Sequence, residues 1–380
     1  MFDRASLSRA LPILLVTAAV LSPSFASADP SVQSVSSTGA HGSTSTITGS
    51  GFGSKSGTSP AVWDSCPSAG LSSQWSNAWP NKSGNDNLQC RSPIRGISPP
   101  HNNVSMYLAG AHSESNGADE GYNVIAFKNR NINSYPAYTY ASWYQRSDDQ
   151  WDFCGDNNYK VFDFSQGTSP YTQPANWYIE YNSPPTSASS GLAWHLNDNG
   201  SALDTGTSWW FGSAVNPMSG KWTKIEVEIR YSPNSDGYIK LWENGRQRID
   251  YSGSTDRYSG SGRSEGIGGY ARCYGRSSNW RYFSDVYIDY TRARVILTDN
   301  QSYENSTKFE PQPVRTWSSG SIEFTLNRGA VSGSSAYIFV FDSSGRRNAV
   351  GVPLGGSAPE PPPPEEEDTR PMPPENLRQE

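Results

Sequence analysis

Between Ala141 and Asn197 the chain repeats one pattern: the runs ASWYQRSDDQWDFCGDNNYKVFDF, NWYIEYN and GLAWHLNDN alternate aromatic and polar residues. Clusters of Asn, Gly, Pro and Ser separate them. A period of two bounded by turn formers is the signature of half-buried antiparallel strands. On such a pleat Trp143, Phe162 or Phe164, Trp177, Ile179, Trp194 and Leu196 share one face, and Tyr144, Arg146, Tyr178, Glu180, His195 and Asn197 share the other. The first set makes a core; the second gathers cation, carboxylate, phenol and imidazole side by side. Thirteen Trp, 21 Tyr and abundant Gly, with almost no Leu- or Ala-rich periodic stretch, extend this to an all-β chain.

The first 28 residues carry Arg4 and Arg9, an apolar run from Leu11 to Leu21 and the ending Ala26-Ser27-Ala28. That is the pattern of a secretory signal peptide, so the expectation is a secreted protein, extracellular or periplasmic. The run is too short to span a bilayer, and no later segment approaches the necessary length. The net charge of −6 sits mostly in a tail from Ala358, and the near-neutral body lacks the basic footprint of a nucleic-acid binder. In an exported chain Cys66, Cys90, Cys154 and Cys273 are expected to pair, with Cys66–Cys90 and Cys154–Cys273 favoured among three connectivities. No Cys-x-x-Cys or paired-His spacing supports zinc.

Residues 29–65 hold two short strands and the loop Gly49-Ser50-Gly51-Phe52-Gly53. This segment resembles the opening of an IPT/TIG domain, an immunoglobulin-like fold. Residues 298–354, with alternating Ser321 to Leu326, Ala336 to Phe341 and a turn at Ser343-Ser344-Gly345, resemble its closing strands. The two segments together imply one split module with residues 66–297 inserted into it; two separate β pieces on the flanks are the alternative. Within the insertion, GKWTKIEVEIRYSPNSDGYIKLWENGRQ resembles a hairpin of concanavalin A-like and laminin G-like jelly rolls. The resemblance implies that Trp222, Ile225, Val227 and Ile229 face the core and that Asn244-Gly245 makes a tight turn. The stretch from Tyr282 to Leu297 resembles the last long strand of such sandwiches. Residues 355–380, rich in Pro and Glu, read as a disordered tail.

Four chemistries compete for the polar face. Glu226 and Glu228 share a strand face at a spacing that suits a glycosidase pair, but an exposed charged face is the plainer account. A lyase needs a group that neutralises a uronate carboxylate and an acid and base that move the proton. The resemblance to jelly-roll polysaccharide lyases assigns these roles to Arg146, Lys160, Tyr178, His195 and Asn197, with Tyr144, Glu180, Trp209 and Trp210 contacting substrate, although the strand motifs marking the alginate lyases of this fold are missing. The candidate calcium loops are Asp148, Asp149, Asp152 and Asp156, and Asn234 to Gly237, without EF-hand spacing. Trp75, Trp79, Trp209, Trp210, Tyr274 and Trp280, expected in loops, suit stacking on sugars. The expected partner is thus a polysaccharide, cleaved by β-elimination or only bound, and a structural adhesin is the third class. Oligomeric state is not legible.

Overall fold

The computed structural model describes residues 29–70, 75–77, 89–112, 121–127, 137–148, 159–166, 175–182, 193–198, 207–213, 220–255, 263–271 and 279–358. In chain order the strands begin with β1 (Ser31–Ser36), β2 (Thr44–Ser50), β3 (Val62–Asp64), β4 (Trp75–Asn77), β5 (Gln89–Arg91), β6 (Tyr107–His112), β7 (Gly121–Phe127) and β8 (Tyr138–Ser147). The central aromatic strands are β9 (Tyr159–Gln166), β10 (Ala175–Asn182), β11 (Ala193–Asp198) and β12 (Thr207–Ser213). Then come β13 (Thr223–Arg230), β14 (Tyr238–Glu243), β15 (Arg246–Ser252), β16 (Arg263–Ala271) and β17 (Asn279–Asp289). The chain closes with β18 (Arg294–Thr298), β19 (Phe309–Pro311), β20 (Val314–Trp317), β21 (Ser321–Thr325), β22 (Tyr337–Phe341) and β23 (Val352–Pro353). No helix among the described residues is long and apolar enough to cross a membrane.

The larger body is an antiparallel jelly-roll sandwich. One sheet runs β12-β11-β10-β9-β16-β7-β4; the other runs β15-β14-β13-β8-β17-β6-β5, with β3 beside β17. The chain passes repeatedly between them, so successive alternating strands feed one shared core. Trp143, Ile225, Val227, Ile229 and Phe283 from one sheet meet Phe162, Ile179, Trp194, Leu196 and Ile267 from the other, all essentially sealed from water. Each such side chain stabilises the fold by about 1.5–3 kcal/mol. Polar ties cross this core as well. Glu265 on β16 accepts from Tyr231 Oη at 2.5 Å and Thr139 Oγ1 at 2.7 Å. Arg281 on β17 lies over the Tyr159 ring at 3.7 Å and donates to the Lys160 carbonyl at 2.8 Å.

The smaller body is an immunoglobulin-like sandwich of two four-stranded sheets, β1-β2-β21-β20 and β19-β18-β22-β23. Strands from both ends of the chain build it: Thr46 opposes Glu323 and Ile47 opposes Ile322. Its core joins Val35, Ile47 and Phe52 to Leu297, Phe324 and Ile338.

Several expectations change. The stretch from Tyr282 to Leu297 is two strands, β17 in the jelly roll and β18 in the small sandwich, parted at residues 290–293. Trp222 does not face the jelly-roll core; its indole packs on Tyr107 and Tyr282 and donates to the Ser98 carbonyl at 2.8 Å. Glu226 and Glu228 are not an exposed face, being 6% and 8% accessible where the small sandwich covers β13. Trp75, Trp209, Trp210 and Trp280 stand on strands rather than loops. Cys66 is bonded to Cys90. Cys154, Cys273, Trp79, Tyr274, Asp149, Asp152, Asp156, residues 1–28 and residues 359–380 lie outside the described residues.

Candidate functional site

The outward face of β9–β12 brings together most of the residues that the sequence singles out. Across these strands the register opposes Lys160 to Glu180, Glu180 to His195, and His195 to Trp210. The next row opposes Asp163 to Tyr178, Tyr178 to Asn197, and Asn197 to Ser208. Strands about 4.8 Å apart make each row about 14 Å long. Directly opposed side chains are close enough to act on one ligand. The side chains of Tyr178, Glu180 and Asn197 lie outside the described residues.

Local packing explains why this face is polar. On β11 Trp194 and Leu196 are fully buried in the core, so the pleat turns His195 the other way. On β12 Trp209 and Phe211 pack against the core, leaving Trp210 outward and 36% exposed. The imidazole of His195 stacks on the Trp210 indole, centroids 4.0 Å apart and planes 15° off parallel, and is itself only 4% accessible. On β9 the pairing slips by one residue: Ile179 opposes Phe162 while Glu180 opposes Lys160. A bulge of this kind re-aims a side chain. Here Val161 and Phe162 both enter the core, and Lys160 takes its place in the row, 2% accessible. The Arg281 guanidinium, reaching across the core to the Lys160 carbonyl, holds the bulge from beneath. Sequence reading missed Arg281; the signal was its core-facing parity with Phe283.

Tyr144 and Arg146 do not join this face. Both stand on β8, in the opposite sheet, and the core lies between them and β9–β12. The Tyr144 hydroxyl donates to Glu310 of the small sandwich, and Lys224 donates to the other oxygen of that carboxylate at 2.9 Å. Burial, reinforced by Glu310, pushes the Tyr144 phenol well above its ordinary pKa. Arg146 opposes Tyr282 on β17, far from His195. One groove lined by Arg146, Tyr178 and His195 is therefore not what this chain builds.

Among the described residues one group has metal-like spacing, Asp64 with Cys66 and Cys90, but the two sulfurs are bonded to each other. The two described carboxylates of the calcium candidates serve the protein. Asp148 accepts from Tyr282 Oη at 2.8 Å and the Trp280 amide at 3.0 Å, and Asp236 accepts from Arg230 at 2.5 Å and from Ser232.

No protein-family model matches the chain, and no curated protein matches its sequence. Among solved structures it is similar to an endo-β-1,4-glucuronan lyase from the fungus Trichoderma reesei, at 14% identity and a TM-score of 0.37, over 54% of this chain and 93% of that one. It is similar to the alginate lyase vAL-1 from Chlorella virus, at 14% identity and a TM-score of 0.33, over 54% and 90%. It is also similar to a botulinum neurotoxin type C structure described as interacting with two ganglioside molecules, at 11% identity and a TM-score of 0.34, over 67% and 64%. The likeness is too slight to transfer a residue or an activity.

Proposed function

We propose that this chain is an exported polysaccharide-active protein that works on a glycan laid across the outer face of β9–β12, by β-elimination beside a uronate carboxylate. The register supports this reading: two neighbouring rows set Lys160, His195, Tyr178 and Asn197 at facing backbone positions beside an exposed indole. With Arg146 on the other sheet, Lys160 and Asn197 are the groups that neutralise the uronate and so acidify its α C–H. His195 and Tyr178 divide the proton transfers: one takes the α-proton, the other protonates the departing glycosidic oxygen as its C–O bond breaks and the ring double bond forms. Trp210 supplies a stacking surface for the sugar. The basic, apolar and small-residue order of residues 1–28, together with the Cys66–Cys90 bond, supports export. The small sandwich is of the IPT/TIG type in this reading, supported by its Gly49–Gly53 loop.

The test is incubation with uronate-containing and neutral polysaccharides, with and without added calcium, while following the ultraviolet absorbance of the unsaturated product. Release from a uronate polymer is expected. His195→Ala should lower the rate by about 10²–10⁴-fold with an unchanged melting curve; an undiminished rate removes His195 from the chemistry. A second reading, a glycan-binding module without turnover, is favoured by the cover over His195, since an imidazole only 4% accessible beneath an indole is better placed to brace that indole than to reach a C–H. Flat absorbance with a retained shift on a polysaccharide affinity gel, lost in Trp210→Ala, establishes that reading. No shift and no product sinks both.

A further inference from the structure

The seam between the two sandwiches holds a cavity of about 290 Å³, on the side of β13 and β8 that faces away from the jelly-roll core. Both bodies line it. Glu226, Glu228 and Tyr140 come from the jelly roll, and Arg294, Tyr303 and Phe309 come from the small sandwich. Trp242 and Phe341 add two further rings.

The polar groups are arranged for a ligand without charge. Tyr140 Oη donates to Glu226 at 2.6 Å, and Tyr238 Oη donates to Glu228 at 2.8 Å. Glu228 also lies 3.7 Å from both Arg292 and Arg294, and Glu304, on the cavity rim, pairs with Arg347. Three carboxylates thus stand against three guanidinium groups. The Arg294 side chain is 7% exposed and held between the rings of Tyr140 and Phe341, each 4.4 Å away. Its Nη1 donates to Tyr138 and to the Arg292 carbonyl, yet its Nε finds no acceptor among the described residues. A buried donor left without a partner costs stability unless something supplies an acceptor.

We propose that this cavity is a second sugar site, distinct from the face of β9–β12, and that it takes one neutral pyranose unit. A pyranose presents a flat C–H face, which suits Trp242 and its neighbouring rings, and a rim of hydroxyls that both donate and accept. Glu226 and Glu228 accept from that rim, and Arg294 donates to it. A uronate would bring a fourth carboxylate into a balanced site, and an amine would meet Arg294.

The test titrates the purified full chain calorimetrically with glucose, galactose, mannose and glucuronate. Saturable binding of at least one neutral hexose is expected, weakened about tenfold or more by Trp242→Ala and by Glu226→Gln, with melting curves as the control for folding. Trp210→Ala should leave that binding intact while impairing the polysaccharide face, so each site can fail alone. The proposal is overturned if none of the three hexoses binds a folded protein, if glucuronate binds as tightly, if both cavity variants bind like the parent, or if only Trp210→Ala abolishes binding.

Discussion

Glu226 shows how burial decides the behaviour of a single side chain. Water exclusion raises its carboxyl above the usual range, and the Tyr140 hydrogen bond and the charges of Lys224 and Arg294 only partly oppose this. A carboxyl with a raised folded pKa keeps its proton while the unfolded chain has already ionised, so folding loses stability as pH climbs from the unfolded to the folded value. Glu226→Gln removes that loss. Its melting temperature, relative to the parent, should therefore rise from pH 4 to neutral pH; a fall across the same range would show the carboxylate to be net stabilising. His195 was legible in the sequence because the period of two fixes which face of its own sheet a residue occupies; Lys160 shares the parity of Phe162 and reaches the polar row only through the bulge on β9. Arg146 and Tyr144 were not legible. The same alternation places them outward, but it carries no information on which of two sheets a strand joins, and β8 joins the other one.

Turn chemistry was the most legible feature at the scale of elements. Asn244 and Gly245, between β14 and β15, both take positive φ, 49° and 75°, as a two-residue hairpin turn requires. A Cβ on Gly245 would also lie 2.8 Å from the Phe309 ring of the small sandwich. Gly245→Val should therefore cost at least about 1–2 kcal/mol in a urea titration, from backbone strain alone. It should also disturb the seam. The division between β17 and β18 was not legible, since both strands are largely buried and the crossing from one body to the other is made by only four residues, 290–293. The bulge on β9 was equally hidden. It depends on Arg281, a residue more than a hundred positions along the chain, through a contact with no local sequence signal.

The molecule is held as one unit by a polar and aromatic seam. Lys55, in the loop after β2, pairs with Asp289 at the end of β17 at 2.5 Å, the two side chains 0% and 4% exposed. Asp289 also accepts from Tyr287 Oη at 2.9 Å and the Tyr290 amide at 2.8 Å. Tyr138, Tyr140 and Tyr287 pack on Ile296, Phe309 and Phe339 across the same boundary. Lys55→Met strands a buried carboxylate and should cost about 3–5 kcal/mol in chemical denaturation. A cost near zero would show that water reaches Asp289 once the lysine is gone. Strand count and alternation made both sandwiches readable, but their mating surface was not, because Glu226, Glu228 and Tyr144 look like solvent-facing residues until a second body covers them. The two ends of the small sandwich meet: Ser34 bridges Ser357, and the Ala358 amide donates to the Gln33 carbonyl at 2.9 Å. Tension applied to the termini therefore loads β1 and its neighbours first, and the jelly roll hangs beside the line of force like a pendant on a clasp. Stretched between two anchors, the protein would keep the sheet of β9–β12 slack until the clasp itself had torn.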